Sequence, residues 1–540
     1  MGFVTRALLP VALSVLAGCS SGDGDFALPD NPRSGNSVYT PNVFAASSTF
    51  ASQCAAPRAG TSDVTGSAFT ENMFLRSWTN ELYLWYGEVQ DRDPTGIATA
   101  QYFNMLKTTQ VTASGTDKDQ FHFTYPTSVW QQLSQAGIDV GYGAQFLGQI
   151  SGNSTLQIFV AYVEPGSPAA AANLSRGVEI LVADGLTVAT VDTDAEFDSL
   201  EAAVFPSAAG QGHTFRVREL SGAERDVTMT TTQVTHDPVP LASVIDQSGV
   251  PVGYLLFNDH IATAESALIE AVNTLRAANI QDLILDVRYN GGGYLDIASE
   301  LAYMIAGVVP TSGQPFERLV FNDKYPSINP VTNRTLTPTP FHTTTQGFDV
   351  PRGTALPTLN LPRVYVITGG NTCSASESII NGLRGVGVEV YQIGSTTCGK
   401  PYGFYPRDNC GTTYFSIQFQ GLNAQGFGGY ADGFTPQLQG DPNTATLSGC
   451  YIVDDFTRQL GDTTERRLQA ALSFRASNNQ TCPPIRLGSG VQSKSGDSAA
   501  SEGILFRAPT RENRMLRDGS FEPPSSATRV RMLNTPEPRE

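Results

Sequence analysis

From residue 250 the chain alternates short apolar runs with longer amphipathic ones, and this alternation constrains the fold more than any other feature. VGYLLF is followed by AESALIEAVNTLRAAN, DLILDV by LDIASELAYMIAG, and RVYVITGG by SASESIINGLRG and then VEVYQIG. Short runs rich in β-formers, separated by helix-length segments, predict parallel strands with crossover helices, since parallel neighbours cannot be joined by a tight turn. The expected class is α/β. Two glycine-rich turns, RYNGGG after DLILDV and TGGNTC after RVYVI, fall where a strand ends and a helix begins, the place where such sheets hold their ligands.

At 540 residues the chain exceeds what one hydrophobic core usually supports, so about three folding units are expected. Residues 70–125 read as helical, with Phe74, Trp78, Leu82 and Trp85 three or four positions apart. From about 136 the texture changes to short alternating runs broken by Gly and Pro. These shifts predict a leader over 1–18, a flexible tether over 19–60, an N-terminal helical segment over 61–130, a β-rich domain over 131–235 and an α/β core over 236–485. The last stretch, 486–540, has few aromatic and many Ser, Arg, Pro and Gly residues, a composition that does not build a core and is expected to be disordered.

The N-terminus, MGFVTRALLPVALSVLAGCSS, has one early arginine, an apolar stretch too short to span a bilayer and a small-residue cut site, the layout of a secretory signal. Its ending LAGC resembles the lipobox of bacterial lipoproteins. That likeness implies lipidation at Cys19, and with it an address in the bacterial cell envelope, anchored at the outer membrane facing the periplasm. Six cysteines remain, Cys54, Cys373, Cys398, Cys410, Cys450 and Cys482, an even number that suits an oxidising compartment. Spacing favours Cys398 with Cys410. No Cys or His spacing suggests a metal site, and a formal charge of -17 argues against nucleic acid as a partner.

The glycine turns point to acyl transfer. Attack on a carbonyl develops a negative oxygen that backbone N–H groups can stabilise, and a run such as Gly291 to Gly293 exposes them readily. Ser374 and Ser376 lie at the start of a helix, where a developing charge is also favoured. Ser374 with Glu377 equally fits a helix capping box. The literal GxSxG, residues 18–22, falls at the lipobox-like LAGC and is no nucleophile elbow. A serine needs a base. His260 and His342 are candidates, but the chain has only five lysines against 29 arginines, and one of them, Lys400, follows the strand after the serine helix. A lysine serves as base only when neutral, which burial promotes, and Ser-Lys pairs are known variants of the serine triad. Asp286 and Arg288 read as a structural pair.

Three motifs in order, LDVRYNGGGYL, Ser374-Ala375-Ser376-Glu377 and Thr397-Cys398-Gly399-Lys400, resemble the C-terminal processing (tail-specific) peptidases, Ser/Lys endopeptidases with an embedded PDZ domain. The likeness covers roughly residues 70–475. It implies a crotonase/ClpP-like mixed sheet-and-helix core, Ser374 as nucleophile, Lys400 as base, and the N–H groups of Gly292 and Ala375 as oxyanion donors, with no cofactor. Over 131–235, Gly141-Tyr142-Gly143-Ala144-Gln145-Phe146, Ser167-Pro168-Ala169, Gly177 and Asp184-Gly185 resemble a PDZ domain. This implies that Gly141, Tyr142, Gly143, Ala144 and Phe146 receive an unfolded or C-terminally exposed protein substrate. Departures from the family pattern are Gly291 for the turn proline, Phe404 where some members orient the lysine with Gln or Glu, Val178 for an acidic residue, and one extra position between serine and lysine. A catalytically inactive peptide-binding protein on the same scaffold, and an acyl-CoA enzyme of the crotonase type, are the other readings of these turns.

Overall fold

The computed structural model describes residues 38–150, 156–206 and 208–484; Cys19, the leader and the C-terminal tail lie outside the described residues. Helix α1 (Ala68–Leu82) starts at Ser67, whose hydroxyl accepts from the Thr70 N–H while Thr70 Oγ1 accepts from the Ser67 N–H, a reciprocal cap. Phe74, Leu75 and Trp78 bury its inner face. The helical texture expected over 70–125 holds only for α1 and for Thr99–Asn104. Tyr83 leaves α1 with an extended backbone, because its hydroxyl is held by Asp119 at 2.5 Å and the next residue pairs with Ile417. Tertiary contacts override the spacing that placed Trp85 on the same helix. The tether expected up to residue 60 is also shorter: Ser47–Thr49 form a turn of helix, Phe50 is buried, and Cys54 is bonded to Cys410.

The β-rich region contains β1 (Ala144–Ile150), β2 (Leu156–Val163), the short helix α2 (Pro168–Ala171), β3 (Glu179–Ala183), helix α3 (Asp194–Val204), β4 (Gly212–Arg218) and β5 (Glu224–Thr230). Its sheet runs in the order β5-β4-β3-β2-β1, leaving β1 at an edge. β4 and β5 alternate exposed and buried residues, the period of a strand with one wet face. Ile158, Val160, Ile180, Phe215 and Val217 pack under Leu200 and Val204 of α3. Ile138–Gly141 pairs antiparallel with Thr232–Thr235, so the chain enters and leaves this region side by side.

The core follows with β6 (Leu241–Gln247), β7 (Val250–Leu256), α4 (Ala264–Ala277), β8 (Asp282–Asp286), α5 (Leu295–Ala306), β9 (Arg363–Thr368), α6 (Ala375–Gly385), β10 (Glu389–Gly394), β11 (Thr435–Gln437), β12 (Thr446–Tyr451) and α7 (Arg466–Ala476). The seven strands are ordered β6-β7-β8-β9-β10-β12-β11, parallel except for β6. Residues alternate across the sheet. Leu255, Leu283, Leu285, Val364 and Val366 meet α4, α5 and α6 on one face, while Tyr254, Ile284, Tyr365 and Ile367 meet α7 on the other. Both faces are thus covered, which a parallel sheet requires. Among the described residues no helix is long and apolar enough to cross a membrane.

Candidate active site

The neighbouring strands β8, β9 and β10 end side by side, and each runs into one of the turns singled out by sequence. Gly292 follows β8, Ser374 follows β9 and Lys400 follows β10. Gly292 has φ 94°, and a Cβ placed there would meet Ser374 Cβ at 2.8 Å and the Ala375 nitrogen at 3.0 Å. Only glycine lets the two turns approach so closely. Ser374 itself has φ 56° and ψ -118°, a backbone state that costs a residue with a Cβ about 1–3 kcal/mol and persists only when its surroundings hold it.

What holds it is Glu377, one turn into α6 and fully buried. Its Oε2 accepts the backbone N–H of Ser374 at 2.9 Å and that of Lys400 at 2.8 Å. Its Oε1 accepts from Gly399 N at 2.9 Å and from Thr397 Oγ1 at 2.5 Å. One carboxylate oxygen therefore joins the backbones of the candidate nucleophile and the candidate base. Burial pushes the Glu377 carboxyl up to about 7, and the hydrogen bonds from Thr397, Lys400, Gly399 and Ser374 pull against that rise. Sequence reasoning gave Glu377 a capping role at the helix start; its reach to the lysine turn depends on β10 lying beside β9, which no local pattern encodes.

Lys400 is 1% exposed, its Nζ 4.2 Å from the centre of the Phe404 ring and 5.4 Å from that of Phe121. Phe404 forms an aromatic wall beside the ammonium position. The other candidate bases are elsewhere engaged. His342 Nε2 bonds to Asp296 at 2.7 Å. His260 is buried against the glycine turn, its Nδ1 2.9 Å from Asn290 Oδ1, and desolvation drives its pKa down to about 4. The same Asn290 oxygen accepts the Gly292 N–H at 3.0 Å, so an oxyanion would have to share that donor or displace it.

Below the turns lies a buried ionic cluster. Arg288 donates to Asp286 and, with both terminal nitrogens, to Glu465 at 2.9 Å each; it also reaches Asp454 at 2.8 Å. Asp286 and Arg288 are the structural pair expected. Arg176, from the turn between α2 and β3, donates to the Tyr289 hydroxyl at 2.6 Å and to Asp454 at 2.7 Å, and Tyr289 OH donates to Asp454. The three arginines, Arg176, Arg467 and Arg288, hold the Asp454 carboxyl far below the usual range against the desolvation that raises it. This link between the β-rich region and the glycine turn was missed from sequence, where Arg176 carries no motif.

The cysteines pair as Cys54–Cys410, Cys373–Cys398 and Cys450–Cys482. Cys398 with Cys410, favoured by spacing, is thereby overturned: β10 next to β9 brings Cys398 to Cys373, while Cys410 is drawn to the N-terminal segment. Among the described residues, two clusters of donor atoms with ligand-like proximity, Cys54/Glu71/Cys410 and Cys373/Glu377/Cys398, contain cysteines already joined as disulfides, so their sulfurs are not thiolates.

In the β-rich region Gly141, Tyr142, Gly143 and Ala144 lead into the edge strand β1. The carbonyls of Tyr142 and Gly143 accept from Ala169 and Glu164, which fixes the loop beneath α2. The Tyr142 and Phe146 side chains are buried in that region's core, so what the strand offers outward is its edge.

Comparison with known proteins gives four further findings. Residues 251–403 match the family model of peptidase family S41. The chain is 31% identical over 142 residues to a carboxyl-terminal-processing protease of Picosynechococcus sp., covering 26% of this chain and 32% of that protein. It is 29% identical over 175 residues to the chloroplastic carboxyl-terminal-processing peptidase 2 of Arabidopsis thaliana, covering 32% of each. These matches span about a third of each curated relative. The crystal structure of an S41 protease from Bacteroides fragilis superposes with a TM-score of 0.54 at 22% identity, over 75% of this chain and 97% of that one, a likeness of fold.

Proposed function

We propose, from the match of residues 251–403 to peptidase family S41, that this chain is a serine endopeptidase of the C-terminal processing type. Ser374 Oγ attacks a peptide carbonyl carbon while Lys400 Nζ, entering as the neutral amine, takes its proton. The carbonyl oxygen becomes an oxyanion facing the N–H groups of Ala375 and Gly292. Collapse expels the amine, which receives the proton from Lys400, and water then releases the acyl-enzyme by the reverse sequence. The observation that supports this reading is the single Glu377 oxygen shared by the Ser374 and Lys400 amides, because it holds the backbones of the proposed nucleophile and base to one atom.

Docking falls to the β-rich region as a PDZ-like module. Its edge strand β1 can add an extended substrate segment through main-chain hydrogen bonds, with the Gly141 to Ala144 turn taking a terminal carboxylate. With lipidation at Cys19 the enzyme would work on unfolded or C-terminally exposed proteins in the cell envelope. One observation favours the inactive, peptide-binding reading: Ser374 is 0% exposed and the Gly292 N–H already has Asn290 as its acceptor. As a peptidase, the resting site is closed and substrate must open it. Casein digestion by the purified mature chain decides. Cleavage by wild type that vanishes in Ser374→Ala and Lys400→Ala supports the peptidase; no cleavage by wild type sinks it.

A further inference from the structure

The site disulfide is unused in the reaction just described, yet it sits closer to the reacting residues than any other covalent feature. Cys373 immediately precedes Ser374, and Cys398 stands two residues before Lys400, with their Cα atoms 5.2 Å apart. The bridge therefore staples the turn after β9 to the turn after β10. Resting on the Ser374–Lys400 reading, we propose that the Cys373–Cys398 disulfide is a positioning device for that pair, and that its reduction by a thioredoxin-type dithiol switches the peptidase off.

Stability alone does not account for a bridge at this place. It spans 25 positions, and that loop is already closed by the parallel pairing of β9 with β10 and by α6 between them. Cys54–Cys410 and Cys450–Cys482 do different work. The first ties the N-terminal segment to the body across 356 positions, and the second ties β12 to the chain beyond α7. Neither includes a residue adjacent to Ser374 or Lys400.

The chemistry of the opened bridge bears directly on Glu377. Cys398 Sγ lies 3.4 Å from Glu377 Oε2, the oxygen that accepts the Ser374 and Lys400 amides. In the disulfide that sulfur carries no hydrogen. Reduction breaks the S–S bond and delivers two electrons and two protons to the two Sγ atoms, while the reductant's own thiol pair becomes a disulfide. Cys398 then bears an S–H with an acceptor in reach, in competition with the two backbone donors. At the same time Ser374, whose left-handed backbone needs an enforcing frame, loses the covalent restraint on its preceding residue. Both changes act on the placement of nucleophile and base, and neither touches the edge strand β1. Loss of placement lowers kcat and leaves KM.

The test uses the purified full mature chain, with casein as substrate, across graded ratios of reduced to oxidised dithiothreitol. Acid quench, alkylation and mass spectrometry report which cysteines have opened. As Cys373 and Cys398 open, kcat is expected to fall roughly tenfold to a hundredfold at nearly constant KM, with unchanged far-ultraviolet circular dichroism and recovery on reoxidation. The variant Cys450→Ser/Cys482→Ser is expected to respond to the same ratios. The variant Cys373→Ala/Cys398→Ala is expected to be folded, slow, and indifferent to reductant. Undiminished kcat with Cys373 and Cys398 open overturns the switch, as does a loss of kcat that accompanies unfolding. If oxidised wild type cleaves no faster than Ser374→Ala, the peptidase reading itself fails and the switch falls with it.

Discussion

The core and the outer strands of the β-rich sheet treat charge in opposite ways. In the core, charged groups are buried beneath the strand ends: Arg288, Asp286 and Glu465 are all fully covered, and Glu377 holds two turns together. On β4 and β5 of the β-rich region the ion pairs lie on the wet face of the sheet, with Arg216 and Asp226 52% and 59% exposed and Arg218 and Glu224 both 44%, whereas Arg176, from a turn of that region, joins the core's buried cluster. Removing one partner of a buried pair leaves an uncompensated charge and is severe, whereas an exposed pair is screened by water and salt. The core's polar network thus ties the strand-end turns together, and the pairs on β4 and β5 stay at the surface.

Substitutions in the two regions should therefore separate widely. The largest effect is on rate: Lys400→Ala is expected to lower kcat/KM for casein by about a thousandfold or more, the scale of losing a nucleophile's base. Next is Arg288→Ala, expected to destabilise the fold by about 3–5 kcal/mol in urea titration, because Asp286 and Glu465 lose the buried guanidinium that they share. Glu377→Gln should be smaller, since an amide keeps one acceptor oxygen but brings donors toward the N–H groups of Ser374, Lys400 and Gly399. A kcat reduced roughly tenfold to a hundredfold, with the fold retained, is expected. At the low end, Arg216→Ala on the β-sheet surface should change stability by about 0.5 kcal/mol or less. A surface substitution as damaging as Arg288→Ala would erase the contrast.

The pH dependence sharpens the same contrast. The Glu377 carboxyl is raised from 4.5 to about 7 and the Glu300 carboxyl, buried beside Glu265, to about 10. The folded state thus holds these protons more tightly than the unfolded chain. Their contribution to stability is complete below about pH 4.5 and is lost as pH rises, first through about 7 and then toward 10. Activity should move the other way across the lower window, because the four donors around Glu377 suit an ionised carboxylate. Urea midpoints and kcat measured over that range should cross in wild type, and Glu377→Gln should flatten the change near pH 7 in both.

Much of this was legible from local pattern. The strands of the core, the helices between them, and the turns carrying Gly292, Ser374 and Lys400 follow from apolar runs and glycine punctuation, which are short-range signals. What pairing across the sheet creates was not legible. The partner of Cys398, the reach of Glu377 to the lysine turn, and the bond from Arg176 to Tyr289 all join segments far apart in sequence. Trp85 failed for the reverse reason: a good helical spacing was overruled when Tyr83 and its neighbour were drawn to Asp119 and Ile417.

The central claim is that Lys400 takes the proton of Ser374. It is tested most directly by the rate at which a fluorophosphonate labels Ser374, followed by mass spectrometry of the labelled peptide across pH in wild type and Lys400→Ala. Wild type is predicted to label at Ser374 and to accelerate as pH rises, with Lys400→Ala unlabelled over the same range. Labelling of Lys400→Ala at Ser374 as fast as wild type would contradict it.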